Sequence, residues 1–398
     1  MLLPVKEALT RVLSAAKITD IVDLPLHDAD AMVLAFDKIA TRNQPPFAAS
    51  AMDGYAVRHA DLSLDQALTV IGEAAAGHGF AGEISKGEAT RIFTGAPLPA
   101  GADTILIQED AARDGNSITP TEIPPLGDYV RPAGFDFEEG SVQLRAGTLL
   151  DFRSLSLAAS LNEPTLPVYK RPVVGILSNG DELVYPGETP SADQIISSNS
   201  FGVASLVRAN GGIPVDLGIA KDDKAAISQA LDKARDLGCD IITTLGGASV
   251  GDHDLIKDAF GERGVSLDFW KIAMRPGKPF MFGRWGDDVL VLGMPGNPVS
   301  SLVCSLLFLK PLLLKMQQRD PSYPLQGAII GAPVSKNSQR EGYLRCHVEE
   351  RDNQLIATAF DNQDSSLLSV LNQANALLIR PPHAPPANVG DTCTIMRF

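Results

Sequence analysis

Hydrophobic positions between residues 172 and 318 follow an alternation that the rest of the chain does not show. Short apolar, β-branched runs, of which Ile241–Leu245 is the clearest, alternate with segments such as 200–210 and 223–237 that have helical spacing. The runs predict buried strands and the segments predict helices. Apolar strands separated by helices are typical of a three-layer α/β domain with a mostly parallel sheet.

The flanking segments have different patterns. Residues 5–16 place apolar side chains every three or four positions, which predicts an N-terminal helix. Residues 68–110 favour short strands with glycine-rich turns, and after residue 319 short alternating stretches predict a small β domain. Residues 163–171 hold two prolines before a strand and are interpreted as a crossing between domains. A chain of 398 residues is itself long enough for several domains.

The most apolar stretch covers residues 299–316, but Lys310 and Pro311 interrupt it. It is too short and too broken to span a bilayer, so we predict a buried helix that ends near residue 309. The N-terminus has charged residues and a proline where a signal peptide needs an apolar core. We therefore expect no membrane association.

Charge and cysteine usage narrow the class of partner. The formal net charge is −14 and the sequence pI is about 4.9, which argues against a nucleic-acid surface, since such surfaces carry basic patches. A small anionic ligand held in a local pocket stays compatible with this charge. The four cysteines lie far apart without CxxC or Cys/His spacing. We therefore expect neither a disulfide framework nor a zinc site, and a cytoplasmic protein.

Glycine-rich loops are predicted at the carboxyl ends of the α/β strands, where ligands bind in such sheets. They are SNGDE at 178–182, GGASVGDHD at 246–254, RPGKP at 275–279 and GMPGNPVSS at 293–301. Glycine backbone amides and the start of a helix near residue 297 favour phosphate or another oxyanion. The alternative is that the glycines are structural turns and the charges in the loops are solvated.

Charged side chains in and beside these loops suit two kinds of ligand. Lys271, Arg275 and Lys278 supply positive charge for an oxyanion. Four carboxylates are hard oxygen ligands suited to Mg²⁺, namely Glu182, Asp222, Asp252 and Asp254. Together these residues predict a Mg²⁺-dependent site for a phosphorylated, anionic small molecule.

Three other features do not by themselves indicate a nucleotide-binding or catalytic motif. Residues 77–82, GHGFAG, match GxGxxG, but no buried strand precedes them and no apolar-faced helix follows, so we expect a plain loop. Residues 94–103 form a rigid Pro- and Gly-containing loop without the Lys-Ser/Thr pair of a P-loop. His253 lies between two acids, and a lone loop histidine is more often a surface residue than a catalytic base.

Seven stretches, taken in order, resemble the molybdopterin molybdenumtransferase family of the MoeA type, which includes the C-terminal domain of gephyrin. They are PPFAASAMDGYAV (45–57), TGAPLPAGADT (94–104), RPAGFD (131–136), SNGDEL (178–183), GGASVGDHD (246–254), RPGKPF (275–280) and GMPGNPVSS (293–301). Each stretch alone is a weak signal. The ordered set is highly specific and covers most of the chain.

The resemblance implies four domains and an elongated homodimer. An elongated linking domain would comprise residues 1–44 and 130–168, an inserted β-rich domain 45–129, the α/β molybdopterin-binding domain 169–318, and a β-barrel-like domain 319–398. The active cleft would lie between the α/β domain of one subunit and the inserted domain of the other. A molybdopterin adenylyltransferase and molybdoenzyme maturation factors would be possible further partners.

The implied reaction transfers molybdenum from molybdate into adenylylated molybdopterin, with Mg²⁺-dependent hydrolysis of the pyrophosphate bond and release of AMP. The residues implied in catalysis are Asp53, Thr94, Asp136, Glu182, Asp222, Asp254, Lys271, Arg275 and Lys278. Of these, Glu182, Asp222 and Asp254 would hold Mg²⁺. The residues implied in binding the cofactor are Ser178, Gly180, Gly246, Gly247, Ser249, Gly251, Pro295, Gly296, Asn297, Ser300, Arg345, Ser365 and Ser366. Among them, Ser300, Arg345 and one of the last two serines resemble the family's molybdate pocket.

The chain departs from the family pattern at residues 362–364, Asn-Gln-Asp, where the family often has glycine. The acid at Asp364 weighs against an oxyanion, so the two serines after it are weaker candidates.

Two other functions stay open. A MogA-type adenylyltransferase shares the α/β unit but lacks the segments at 45–57 and 94–104 and the C-terminal β domain. A non-catalytic scaffold, as in gephyrin, would not need to keep Asp53, Glu182 and Lys278 together with the acid at position 254. All four residues are present, which favours an enzyme.

Overall fold

The computed structural model describes residues 2–247 and 255–398, which fold as two compact units. The larger unit contains the chain up to Asp23, Ala31–Ala35 and Pro167–Phe398. The smaller unit contains Leu24–Asp30 and Phe36–Leu166. The boundary between Leu166 and Pro167 lies inside the proline-containing segment 163–171.

The smaller unit is built around a six-stranded sheet. In spatial order its strands are Thr104–Ile107, Gly54–Val57, Glu88–Ile92, Leu68–Ala74, Ser117–Pro120 and Ala111–Asp114. Two short ribbons pair Ala49–Ser50 with Val130–Arg131 and Lys38–Ile39 with Val142–Leu144. The 3₁₀ turns are Leu26–Asp28, His59–Asp61 and Gln108–Asp110. The predicted β-rich region is thereby confirmed, and the GHGFAG segment is a turn in which Ala75 bridges His78, with no helix after it.

One α-helix of the smaller unit begins at a clear N-cap. The helix is Phe152–Ser160, and the Asp151 side chain accepts hydrogen bonds from the amides of Arg153 and Ser154. These bonds satisfy two of the free N–H groups at the start of the helix. The same carboxylate contacts the Arg153 guanidinium, which holds the pKa of Asp151 well below its usual range.

The larger unit contains the predicted α/β domain. Its strands are β1 (Val173–Asn179), β2 (Ile213–Ala220), β3 (Ile241–Leu245), β4 (Val265–Phe269), β5 (Met281–Trp285) and β6 (Val289–Met294). Their order in the sheet is β2-β1-β3-β6-β5-β4. The pairings among β2, β1, β3 and β6 are parallel, and those of β5 with β6 and β4 are antiparallel. The prediction of a mostly parallel sheet is confirmed.

Helices cover both faces of this sheet. They are α1 (Asn199–Ala209), α2 (Lys224–Asp236), α3 (Leu255–Glu262) and α4 (Pro298–Met316). In β3, Ile241 and Leu245 join the hydrophobic core on one face, and Ile242 joins the core on the other. Because both faces of the strand are buried, its isoleucines, leucine and the two threonines Thr243 and Thr244 are all inside, and the sequence does not alternate between apolar and charged positions.

Helix α4 is longer than the sequence predicts. It consists of an α segment Pro298–Cys304, a π turn Ser305–Leu309 and a second α segment Lys310–Met316. The predicted end near residue 309 is wrong, because the wide turn accommodates Pro311, which has no N–H to donate to the preceding turn. Within the described residues it is the one helix long and apolar enough to cross a membrane, and 78% of it is buried inside the protein. Its predicted role as a core helix is confirmed.

A closed barrel follows α4. Its strands are β7 (Leu325–Ile330), β8 (Glu341–Arg351), β9 (Gln354–Ala359), β10 (Ala376–Arg380) and β11 (Thr392–Arg397), with a helical segment Leu368–Gln373 between β9 and β10. The order β8-β9-β7-β11-β10 closes through a pairing of β10 with β8. The short strand Met274–Arg275, from the α/β part of the chain, adds to the outside of β8. The predicted barrel-like domain is confirmed.

The remaining elements of the larger unit are a helix and several short strands outside the six-stranded sheet and the barrel. The N-terminal helix is Val5–Ser14, and its buried residues Val5, Ala8 and Val12 pack into the core that contains α4. A two-residue ribbon pairs Leu183–Val184 with Ile195–Ile196 beside the carboxyl end of β1. Strand Val33–Leu34 pairs with the second half of Thr165–Tyr169, and the last short strand is Ile21–Pro25.

Candidate functional site

A cavity of about 1200 Å³ opens in the larger unit at the edge of the sheet predicted to bind ligands. Segments after β1, β3 and β6, the loop before β5 and a loop of the barrel line it together. The predicted residues that line it are Ser178, Gly180, Glu182, Asp222, Gly246, Gly247, Arg275, Lys278, Pro295, Gly296, Asn297, Ser300, Ser365 and Ser366. Most of the implied cofactor-binding set is thus in one place.

The floor of the cavity is backbone at the ends of β1 and β3. Ser178 and Asn179 are the last residues of β1 and are both buried. The backbone passes so closely here that a Cβ on Gly246 would lie 2.6 Å from the carbonyl oxygen of Asn179. Gly246 also has φ +102°, a conformation that side chains other than hydrogen rarely allow. A ligand can therefore approach the main chain at this point.

The loop at 275–279 reaches the cavity by a different route from the one predicted. It does not follow a parallel strand but precedes β5, which is antiparallel to β6. The start of an antiparallel strand lies at the same sheet edge as the carboxyl ends of its parallel neighbours. The loop is therefore at the predicted edge, although it does not lie at a carboxyl strand end.

Two carboxylates stand on one side of the cavity. Asp222 and Glu182 are both exposed and both line it. The Asn179 amide nitrogen donates to Asp222 Oδ1 at 2.5 Å, which fixes that carboxylate against the end of β1. Since a carboxylate can only accept, the amide oxygen of Asn179 must point elsewhere, and it is buried without a hydrogen-bond partner.

This donor set fits Mg²⁺, which takes hard oxygen ligands and is usually held by only one or two protein carboxylates alongside substrate phosphates. Among the residues that the structure describes there is no cluster of three His, Cys, Asp or Glu side chains. The third implied ligand, Asp254, lies outside the described residues, together with Ser249, Gly251, Asp252 and His253.

Three cations that line the cavity form no ion pair within the described part of the chain. They are Arg275 and Lys278, which were predicted, and Arg340, which was not. None of the three forms an ion pair with any described residue. Cations that have no ion-pair partner form an anion-binding surface.

Lys271 lies elsewhere. It lines a second cavity of about 410 Å³ beside Leu3 and Pro4, and its Nζ is 5.4 Å from the centre of the Trp270 ring. The larger cavity is lined by Arg275 and Lys278 but not by Lys271. The structure therefore does not bring the three predicted cations to one wall.

The barrel contributes a loop, residues 361–367, to the cavity wall. Asn297 Nδ2 donates to Ser365 Oγ at 2.8 Å, and the Val299 amide donates to the Ser365 carbonyl at 3.0 Å. Ser300 is buried beside this junction and lines the cavity. The loop is therefore hydrogen-bonded to the start of helix α4.

Arg345 lies behind this loop and is 1% exposed. Its guanidinium donates to the Gln363 side chain at 3.3 Å and to the carbonyls of Leu367 and Asn362 at 3.3 and 3.4 Å. The Gln363 amide in turn donates to the carbonyls of Arg345 and Phe360. Arg345 and Gln363 thus brace the loop, and Arg345 is not itself among the residues that line the cavity.

Asp364 is the acid that departs from the family pattern, and it lines the cavity. Its Oδ1 accepts from the Ser366 hydroxyl at 2.7 Å and from the Ser366 amide at 2.9 Å. These two bonds lower the pKa of Asp364, and the nearby Arg345 charge acts in the same direction. The cavity therefore carries a fixed negative charge, and the Ser366 hydroxyl proton is already used.

We expect Asp364→Asn to bind oxyanions more tightly. Asparagine keeps an oxygen that accepts from Ser366 but removes the charge, so the dissociation constant for an oxyanion should fall by roughly two- to threefold, the scale of one screened charge interaction. The measurement is equilibrium dialysis with inorganic phosphate and with molybdate. Asp361→Asn is the matched control, since Asp361 is exposed on the same loop and does not line the cavity. Equal effects of the two substitutions would contradict this prediction.

The predicted residues Asp53, Thr94 and Asp136 belong to the smaller unit. Asp53 Oδ1 accepts from the Thr94 amide and from the Thr94 hydroxyl, both at 2.8 Å. These bonds lower the pKa of Asp53, the backbone bond most. Asp136 is exposed, and its amide donates to the Gln44 carbonyl at 2.9 Å. Asp53 is thus a half-buried carboxylate that the exposed Thr94 holds in its charged form.

Sequence reasoning assigned no role to several residues of the cavity wall, among them Asn179, Asn199, Gln363 and Arg340. Asn199 resembles Asn179, since its amide nitrogen donates to the Gly296 carbonyl at 2.8 Å and its amide oxygen is buried without a hydrogen-bond partner. Asn179 follows Ser178 directly in a quoted motif, which was an available signal. Gln363 lies in the departure from the family pattern at 362–364, whereas no sequence pattern singles out Asn199 or Arg340.

Three family models match consecutive parts of the chain. "MoeA N-terminal region (domain I and II)" matches residues 3–162, "Probable molybdopterin binding domain" matches residues 175–315, and "MoeA C-terminal region (domain IV)" matches residues 328–398. The first match includes the whole of the smaller unit up to residue 162, the second covers most of the α/β domain, and the third covers most of the barrel.

Individual proteins are similar over nearly the whole chain. The molybdopterin molybdenumtransferase of Haemophilus influenzae is 35% identical over 380 residues, which is 94% of this chain and 93% of that protein. The one from Bacillus subtilis is 31% identical over 393 residues, which is 95% of this chain and 90% of that protein. The solved structure of a molybdopterin biosynthesis MoeA protein from Pyrococcus horikoshii has a TM-score of 0.86 and 27% identity, covering 100% of this chain and 99% of that chain.

Proposed function

The chain belongs to the MoeA-type molybdopterin molybdenumtransferase family, and we propose that it transfers molybdenum from molybdate into adenylylated molybdopterin and releases AMP. One observation supports this reaction above all. A single cavity joins glycine backbone, three exposed carboxylates, of which Glu182 and Asp222 flank the end of β1, and three cations without ion-pair partners among the described residues. That combination suits a substrate with a phosphoanhydride together with a second oxyanion.

The two sides of the cavity would have separate tasks. Arg275 and Lys278 would bind the phosphates or molybdate and offset the charge that grows on the leaving phosphate. Glu182 and Asp222 would hold Mg²⁺, with Asp254 from the loop outside the described residues as the third acid. Mg²⁺, when bound, would neutralise charge on the phosphoanhydride and so favour its hydrolysis. Asn179 would keep Asp222 in place through its 2.5 Å hydrogen bond.

We further propose a homodimer whose cleft is shared between subunits. In this arrangement Asp53, Thr94 and Asp136 of one subunit would face the cavity of the other. The support is the resemblance of the segments at 45–57, 94–104 and 131–136, together with the low pKa of Asp53, which keeps its carboxylate charged. A cytoplasmic location is proposed because all four cysteines are free thiols.

The adenylyltransferase and scaffold alternatives are less well supported. The chain matches family models over residues 3–162 and 328–398 as well as over its α/β domain, so it contains more than the α/β unit that a MogA-type adenylyltransferase has. The relatives that match most of its length are named as transferases.

Purified protein should release AMP from adenylylated molybdopterin only when molybdate and Mg²⁺ are both present. The measurement is AMP by chromatography after incubation with each component omitted in turn. A parallel reaction with ATP and free molybdopterin serves as the control for adenylyltransferase activity. Release of AMP without molybdate, or consumption of ATP, would reject the proposed reaction.

A further inference from the structure

Arg340 comes from the barrel and yet lines the cavity of the α/β domain. It lies immediately before β8. The short strand Met274–Arg275 pairs with the start of β8, so that Met274 lies opposite Glu341 and Arg275 opposite Gly342. The amide of Glu341 donates to the Ala273 carbonyl at 2.8 Å. This pairing delivers Arg340 and Arg275 to the same wall from two parts of the chain.

The backbone at Arg340 is held from its other side as well. The Asn337 side-chain nitrogen donates to the Arg340 carbonyl at 2.9 Å and to the carbonyls of Arg380 and Pro381 at 2.8 Å. The loop before β8 is therefore tied both to the neighbouring strand β10 and to the strand Met274–Arg275. A side chain on such a braced loop is positioned before the ligand arrives, which lowers the cost of binding.

The guanidinium of Arg340 is left almost free. Its one hydrogen bond to a described residue is a long contact of 3.5 Å from Nη1 to the Met274 carbonyl. Arg345, five residues later, uses all three of its guanidinium nitrogens on protein acceptors. Of the two arginines, Arg340 thus has the N–H groups of its guanidinium available for a ligand.

We propose that Arg340 is a further ligand-binding residue of this site, which takes a tetrahedral, doubly charged oxyanion together with Arg275 and Lys278. The planar fork of an arginine matches two oxygens of such an anion. The anion would be molybdate or the phosphate group of the pterin substrate, which share this chemistry. The inference rests on the proposed function for its role in turnover, although oxyanion binding itself can be measured without any reaction.

The test compares Arg340→Ala, Arg340→Lys and Arg351→Ala with the wild-type protein. Arg351 lies at the far end of β8, is exposed and pairs with Glu349, so its loss removes the same charge away from the cavity. Equilibrium dialysis with molybdate alone and with inorganic phosphate alone measures binding. Steady-state AMP release gives the KM for molybdate, the KM for adenylylated molybdopterin and kcat, and thermal melting checks the fold.

Arg340→Ala should weaken binding of the oxyanion roughly tenfold or more, the scale of a charge-assisted hydrogen-bond pair. Arg340→Lys should restore part of it, since it keeps the charge and loses the fork. If the KM for molybdate rises and the affinity for molybdate measured by dialysis falls, the anion is molybdate. If the KM for the pterin substrate rises and the affinity for phosphate measured by dialysis falls, the anion is the phosphate group of that substrate.

Wild-type affinities and KM values in a folded Arg340→Ala protein, or equal losses in Arg351→Ala, would overturn the inference. Wild-type protein that binds oxyanions but releases no AMP would reject the proposed function instead.

Discussion

Asp222→Asn is expected to lower the rate of AMP release by about 10²-fold or more and to raise the Mg²⁺ concentration needed for half-maximal rate. Asparagine has the shape of aspartate, and its oxygen can still accept the hydrogen bond that Asn179 donates at 2.5 Å. The substitution therefore removes charge and leaves the packing of the cavity wall in place. Rates measured across a Mg²⁺ titration, with Mn²⁺ binding followed by electron paramagnetic resonance, give both quantities.

Asp223→Asn is the matched control for this experiment. Asp223 is the next residue, but its side chain accepts from the Ala226 amide at 3.1 Å and caps helix α2. It does not line the cavity, and asparagine is an equally good N-cap. The control thus removes one negative charge one residue away, with no expected loss of rate. An Asp222→Asn protein with normal rate and normal Mn²⁺ affinity would show that this carboxylate has neither role.

The part of the fold that carries the cavity was predictable where burial alone dictates the sequence. Ile241–Leu245 is a strand with the bounds predicted, because both of its faces are covered. The loop after β1 was predicted to begin at Ser178, yet the strand continues through Ser178 and Asn179. Hydrophobicity cannot indicate that end, since both polar residues are buried under the cavity and pair with neighbouring strands.

Long-range strand pairing limits how well a sequence can predict which cations line the cavity. Arg275 and Lys278 lie three residues apart, so their common placement follows from the loop itself. Arg340 joins them only because Met274–Arg275 pairs with β8, a contact between residues that are 67 positions apart at Met274 and Glu341. Lys271 was predicted with them from its sequence proximity, yet with only three residues between it and Arg275 it lines another cavity.

Polar side chains that brace a loop are equally hard to predict. Gln363 makes hydrogen bonds to the amide and carbonyl of Arg345, to its guanidinium, and to the Phe360 carbonyl. In the sequence it is one amide in the polar run 361–366, with no periodicity to mark it. The departure at Asp364 was recognised from the family pattern, but only the structure shows that it accepts from Ser366.

Asp53→Ala and Asp254→Ala should each abolish AMP release, and co-expression of the two variants should restore about a quarter of the wild-type activity. In a symmetric homodimer with shared clefts, half of the random assemblies are heterodimers, and one of the two clefts in each has both wild-type halves. The reason for the loss is that each carboxylate is implied in the same cleft from a different subunit. Asp53 is in place as an ionised group, because Thr94 donates two hydrogen bonds to it.

The informative control is a pair of variants on the same half of the proposed cleft. Asp222→Asn and Asp254→Ala both change the 169–318 part of the chain, so every cleft in their mixed dimers contains one defect and no activity should return. Recovery in the Asp53/Asp254 pair but not in this pair requires a cleft built from two subunits. Recovery in both pairs would mean that the restored activity does not come from combining the wild-type halves of a shared cleft. Recovery in neither pair, with heterodimers detected by mass spectrometry, would place each active site within a single chain. Since Asp53 and the cavity belong to different compact units, this outcome decides how the two units cooperate in the reaction.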